Sequence, residues 1–200
     1  CLQSSTMSEH IEITPEIIEI RHYLHAHPER SFKEYETSAY IEKLLRAHDI
    51  EVLNNPLETG VVGLIRGDQP GPRIALRADI DGLPIQEDTG LPFSSVNDGV
   101  MHGCGHDMHT AMMLGAAKLL KEHEDEIEGT IKLEFQPAEE IFQGSLDMLK
   151  NGLLENPKVD AAVMFHVLAG IPLPVGTVLV PGGGITMASC EQYHITVHGK

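Results

Sequence analysis

The chain has 200 residues, 42% hydrophobic and 22% charged, with 30 acidic residues against 14 basic and a formal net charge of −16. This is the composition of an ordinary soluble globular protein, long enough for one domain or for one and part of a second. There is no basic stripe and no run near the roughly 18–20 apolar residues that span a bilayer, which excludes nucleic acid and membrane as expected partners.

Residues 1–13, opening "CLQSSTMSEH", lack the charged and apolar regions of a signal peptide and read as a tag remnant or flexible N-terminus. "TPEIIEIRHYLHAH" then predicts a helix, with Thr14 as N-cap, Pro15 at the first helical position and Glu16 in the first turn. Ile17, Ile20 and Leu24 fall on one face. A second helix is expected over about 34–48, with Tyr40, Ile41, Leu44 and Leu45 inward. Strand-like runs follow at 60–67 and 73–80, joined by the turn-forming "DQPGP". Beyond them come a helix over 109–123, a strand over 129–136, a helix over 144–154 and a strand over 160–167. Strands alternating with helices, several nearly all apolar, predict an α/β fold whose sheet is covered on both faces. A hairpin-like start followed by crossovers makes the sheet mixed. From about residue 185 the texture changes, and "YHITVHGK" alternates like an exposed strand.

Cys1, Cys104 and Cys190 are an odd number with no regular spacing, so no disulfide framework is expected and a reducing cytoplasm is the default. Twelve histidines keep metal binding open, and three of them crowd with Cys104 into "MHGCGHDMHT". In the Cys104-Gly105-His106 triplet, the glycine lets both flanking side chains turn toward one point. Thiolate and imidazole suit zinc and similar metals. The stretch precedes a helix, at the sheet edge where α/β folds place their sites. A buried free cysteine beside surface histidines is the equally open alternative. "FQPAEE" puts Glu139 and Glu140 just past a strand. As chemistry, one carboxylate holds a metal while its neighbour takes a proton from the attacking water. As structure, the pair is a first helical turn favoured by the dipole. His166 closes the strand "VMFHV", and Asp79 and Asp81 end another in "RADIDGLP". These aspartates suit either partners that orient a histidine or plain turn formers.

"LHAHPERSF", "RADIDGLPIQE", "MHGCGHDMHTAMMLGAAKLL", "FQPAEE" and "FHV" occur in the order and approximate spacing of one family. The chain resembles, from about residue 14 to its end, the metal-dependent amidohydrolases that include hippurate hydrolases, N-acyl-amino-acid deacylases and auxin-conjugate hydrolases. These belong with the aminoacylase and carboxypeptidase-type two-metal peptidases. The resemblance implies a zinc-aminopeptidase-like catalytic domain, its mixed sheet sandwiched by helices, and two divalent ions (Zn, Mn, Co or Ni) per complete site. It implies Cys104, His106, Glu140 and His166 as metal ligands, with Cys104 bridging. It implies Glu139 as the base that activates water and later protonates the leaving amine, with Asp79 a second catalytic candidate of less settled role. His102 and His109 match positions that shape the site, and His25 and His27 a structural signature of the first helix.

The same resemblance implies a catalytic domain over 14–188 and the first strand of a lid and dimerisation domain over 189–200. A lid histidine and a final histidine ligand would then lie beyond Lys200, so the 200-residue chain alone is expected to be inactive. The expected substrate is a small N-acyl amino acid, and the expected assembly a homodimer or higher through the lid. Arg73 and Arg77 are candidates for the substrate carboxylate only by elimination. A dipeptidase or aminopeptidase on a related fold, and a non-catalytic metal-binding fragment, are the competing readings. The cysteine at 104 disfavours the peptidases, which tend to carry aspartate there; the free carboxylate of Glu139 disfavours the mere metal holder.

Overall fold

A computed structural model of the protein describes residues 14–54, 56–185, 189 and 193–199, so Cys1, Cys190 and the opening stretch lie outside the described residues. The elements follow the expected alternation. Helices α1 (Pro15–Ala26) and α2 (Tyr35–Ala47) lead into strands β1 (Glu51–Val52), β2 (Val61–Arg66) and β3 (Gln69–Asp79). Helix α3 (His106–Glu122), strand β4 (Glu128–Gln136), helix α4 (Gly144–Lys150) and strand β5 (Ala161–Met164) complete the order.

The five strands lie in the order β1-β2-β4-β3-β5. β2 runs antiparallel to β1 and β4, whereas β3 runs parallel to β4 and β5. The sheet is therefore mixed, as expected, but not for the expected reason. β2 and β3 do not form a hairpin: β4 lies between them, bonded to both. A parallel β3–β4 pair needs a crossover, and α3 supplies it.

α1, α2 and α3 cover one face, where Ile20, Leu24, Ile41, Leu45, Leu114, Leu133 and Phe135 form one buried cluster. Truncating a residue such as Leu133, fully buried, would cost about 2–5 kcal/mol. Thr14 does not cap α1 with its side chain, but its carbonyl accepts from Ile17 and Ile18. Glu29 does more, accepting the Thr37 N–H (2.8 Å) and hydroxyl (2.7 Å) in the first turn of α2. On the opposite face Lys132 is buried and donates from Nζ to the carbonyls of Leu153, Asn156 and Pro157, so that this segment covers the strand. α4 is shorter than expected, and β5 is a short edge strand with all its residues exposed.

Residues 14–167 belong to one compact unit; residues 168–200 group apart, and their described members carry no helix or strand. The strand expected in "YHITVHGK" is accordingly not formed over 193–199. Among the described residues, no helix is long and apolar enough to cross a membrane.

Candidate metal centre

The residues singled out from the sequence meet at one edge of the sheet. Asp79 ends β3, Glu139 and Glu140 follow β4, and His166 follows β5. Cys104 lies in the loop before α3, and His106 is the first residue of that helix. Gly105 between them is left-handed (φ 85°), and a Cβ there would lie 2.5 Å from Val167 Cγ2. Only glycine meets both demands without displacing its neighbours. Cys104 and His106 are thereby brought against the segment that holds His166.

Three groups of donor atoms, each within 4.8 Å of one another, result: Cys104, His106 and His166; His106, Glu139 and Glu140; Asp79, His106 and His109. His106 is common to all three. Its Nε2 lies 3.8 Å from Glu139 Oε2 and 3.8 Å from Glu140 Oε1. Cys104 Sγ is 3.5 Å from His166 Nε2.

The hydrogen bonds decide which imidazole nitrogens face this space. His106 Nδ1 donates to the Asp81 carbonyl (2.9 Å) and lies 3.2 Å from its Oδ1. His166 Nδ1 donates to the Val167 carbonyl (2.6 Å). In both rings Nδ1 carries a proton, so in the neutral form it is Nε2 that offers a lone pair. Val167 is itself held, since its N–H donates to His109 Nε2 (3.1 Å). Asp81 also links the two halves of the site: its Oδ2 accepts from Ser31 Oγ (2.7 Å) and from the Glu140 N–H (3.0 Å).

Charge in this space is unbalanced. Asp79, Asp81, Glu139 and Glu140 converge with a thiol, and the Arg77 guanidinium, hydrogen-bonded to Asp79 Oδ1 at 2.8 and 2.9 Å, offsets that charge in part. Burial and the neighbouring Glu140, Glu139 and Asp79 push the Cys104 thiol up to about 12. Burial, with the charge of neighbouring carboxylates, likewise raises both Glu139 and Glu140. Burial works against ionised His106, but its bond to Asp81 and the surrounding carboxylates outweigh it and raise the ring. Burial lowers His109 to about 4, so it stays neutral. Several buried atoms also lack any hydrogen-bond partner, among them His106 Nε2, Glu140 Oε1 and Asp79 Oδ2. Leaving such groups unpaired is costly. A lone pair, orphaned carboxylate oxygens and a suppressed thiolate facing one space are what a divalent cation would satisfy. The residues present fit one.

Some sequence expectations change here. Arg77 is engaged by Asp79, and Arg73 by Asp160 (3.1 Å), so neither is a free carboxylate binder. Of the two aspartates that could orient a histidine, Asp81 does so for His106, while Asp79 is bonded by Arg77. His25 is buried between Asp107 (2.8 Å) and Glu87 (3.2 Å), packed behind the donor loop. His27 sits at the end of α1 on the Tyr23 carbonyl. The tie from His109 to Val167 was not legible beforehand, because it joins a helix to a loop across 58 residues.

Comparison with known proteins agrees with this architecture. Residues 75–198 match the model of peptidase family M20/M25/M40. The chain is 46% identical over 185 residues to an N-acetyl-L-cysteine deacetylase of Bacillus subtilis, covering 92% of this chain and 43% of that protein. It is 44% identical over 192 residues to thermostable carboxypeptidase 1 of Saccharolobus solfataricus, covering 94% and 48%. It thus spans less than half the length of these relatives. Among solved structures it is similar to the Bacillus subtilis YXEP protein, a dinuclear metal binding peptidase. That similarity has a TM-score of 0.76 and 48% identity and covers 79% of this chain and 44% of that one. The site at the sheet edge and these likenesses agree: the chain belongs to the M20/M25/M40 peptidase family.

Proposed function

We propose that the chain carries the metal-holding part of an amidohydrolase that cleaves the acyl–nitrogen bond of N-acyl amino acids. The observation that carries this reading is the convergence of Cys104, His166 and the two glutamates on the buried, unpartnered Nε2 of His106. The substrate class is supported by the similarity to an N-acetyl-L-cysteine deacetylase.

Cys104, His106, Glu140 and His166 would hold the ions, which we take to be two of zinc, manganese, cobalt or nickel. Such ions, when bound, make a nucleophile available at neutral pH and stabilise the negative charge that develops on the carbonyl oxygen. The chain's own groups handle the protons. Glu139 is the more open of the pair, its side chain 29% exposed against 16% for Glu140, which suits it to meet water and substrate. It accepts the proton as the water oxygen bonds to the carbonyl carbon. It then delivers that proton to the amide nitrogen as the carbon–nitrogen bond breaks, releasing carboxylic acid and amino acid. Glu140, its N–H held by Asp81, stays in place as a donor. Asp79, fixed by Arg77, contributes charge near His106 and His109.

The similarity to a carboxypeptidase favours a second reading. A C-terminal peptide bond has the same acyl–NH–CHR–carboxylate arrangement as an N-acyl amino acid, so one site chemistry serves both. A panel of N-acetyl and N-benzoyl amino acids and dipeptides separates them; turnover of dipeptides alone would reject the deacylase reading. We also take residues 14–188 as the first part of the catalytic domain and 189–200 as the start of a lid through which the full-length protein dimerises. A cytoplasmic setting suits the free thiol of Cys104.

The role of the glutamate pair is tested directly. Glu139→Gln should keep its metal and lose about 10²–10⁴-fold in turnover. Glu140→Gln should instead lose metal. The opposite pattern reverses the two roles.

A further inference from the structure

The turn bearing the two glutamates is anchored from a distant part of the chain. Beyond β4, Ala138 adopts a left-handed backbone (φ 50°), a region that residues with a Cβ avoid. Ala138 is fully buried, and its carbonyl accepts from Gly144 N (3.0 Å) and Gln143 N (3.3 Å). Gly144 allows that return because a Cβ there would lie 1.6 Å from the Pro137 oxygen. These bonds fix only the carbonyl side of Ala138. On the other side the Ala138 N–H donates to Glu34 Oε1 at 2.8 Å, across 104 residues.

Glu34 immediately precedes α2 and is itself fully buried. Its Oε2 accepts from Thr59 Oγ1 at 2.8 Å. Burial disfavours its charge and raises its carboxyl. An apolar side chain would avoid that cost, but it would leave the Ala138 N–H without an acceptor in a sealed space. The acid sits where a strained turn needs an acceptor and the backbone supplies none.

We propose that Glu34 is a positioning residue for the glutamate pair, holding the left-handed turn from which Glu139 and Glu140 reach His106. The proposal rests on the roles given to that pair above. It makes reach, not charge, the property that matters. Glutamine keeps the length and an acceptor oxygen, and the Thr59 hydroxyl accepts from its amide as readily as it donates. Aspartate keeps the charge but is one methylene short.

The test uses the full-length protein with Glu34→Gln, Glu34→Asp and Glu34→Leu, and Ala138→Gly alone and combined with Glu34→Asp. Metal affinity is measured by chelator competition with zinc and with cobalt, whose absorption reports thiolate coordination. Turnover and thermal midpoint are measured alongside. The expected order places Glu34→Gln near the parent and Glu34→Asp and Glu34→Leu about 10–100-fold weaker in metal affinity. Ala138→Gly, which relieves the left-handed turn, should recover part of the Glu34→Asp loss. If Glu34→Leu does not fold, the ranking of glutamine above aspartate still decides. The proposal is overturned if aspartate outperforms glutamine, or if the short and apolar variants melt lower yet bind metal and turn over like the parent. Glu139→Gln and Glu140→Gln serve as controls. Were both to match the parent, the roles of the pair would fall, whatever the Glu34 variants do.

Discussion

Replacing Asp81 by asparagine should damage the site through a single proton. The carboxylate is fully buried and receives donors on both oxygens: His106 Nδ1 at 3.2 Å on one, Ser31 Oγ (2.7 Å) and the Glu140 N–H (3.0 Å) on the other. Asparagine has one oxygen to offer. It is best placed toward Ser31 and Glu140, where two donors converge, which turns the amide NH₂ toward His106 Nδ1. Two donors then face each other in a sealed space, at about 1–3 kcal/mol for an orphaned donor. The ring can escape by moving its proton to Nε2, but it then gives up the Asp81 carbonyl bond and the lone pair that faces the glutamates. Either outcome weakens metal binding, by about 10–100-fold for loss of such an orienting partner. Chelator competition with zinc, on parent and Asp81→Asn, reads this directly, with a thermal melt to separate folding from affinity. Unchanged affinity would refute the claim that Asp81 sets the His106 tautomer. The pH dependence follows the same residue. Burial pushes the Asp81 carboxyl up, but bonds from His106, Ser31 and Glu140 outweigh it and hold it below the usual range. A depressed carboxyl stabilises the fold above its unfolded value of about 3.9 and loses that contribution as pH falls through the folded value. The parent should therefore lose part of its stability below about pH 4, and Asp81→Asn should lack that component.

Glu134 predicts the opposite pH trend: burial pushes it up to about 7 despite Lys132 and Arg77. With the folded value above the unfolded one, stability falls as pH rises from about 4 to 7. Glu134→Gln should then exceed the parent by roughly 2–4 kcal/mol at pH 8 and match it near pH 4; equal denaturation midpoints at pH 8 would contradict this. His109→Leu removes the acceptor for the Val167 N–H and should weaken metal binding about 10–100-fold, whereas His109→Gln, with an oxygen in reach, should not. Equal affinities in the two variants would dismiss His109 as a support for His166. The 200-residue chain should bind metal yet turn over far more slowly than a full-length form; comparable rates at equal concentration would defeat the expectation that further site residues lie beyond Lys200.

The elements were legible because hydrophobic periodicity and turn residues act locally. Ile17, Ile20 and Leu24 fall on one face of α1, and the run "GTIKLEFQ" becomes β4 almost residue for residue. Strand order was not. "DQPGP" reads as a turn, yet only its Asp68 lies between β2 and β3 and the other four residues open β3; nor does a turn determine which neighbour a strand bonds. That choice is made by β4, which arrives 49 residues after β3 ends and pairs with both. β5 is shorter than its apolar sequence suggests, since periodicity reports the tendency to be buried and not the partner that buries it.

The candidate site divides along the same line. Cys104, His106, Glu139, Glu140 and His166 carry their chemistry in their side-chain type, and each lies within a few residues of a glycine, a proline or a strand end that announces a sheet edge. What organises them does not. His106 is oriented by the backbone carbonyl of Asp81, His166 by that of Val167, and a carbonyl has no signature in a sequence. Both carbonyls remain whatever side chain their residue carries, but at Asp81 the carboxylate beside the carbonyl also faces the ring nitrogen. Asp81, Glu34 and His109 act one step further out, on the peptides of Glu140, Ala138 and Val167. Each supports a backbone position, and through it a reactive side chain. A carboxylate or imidazole used in this way looks in the sequence like any buried polar residue. Only the partner atom distinguishes it.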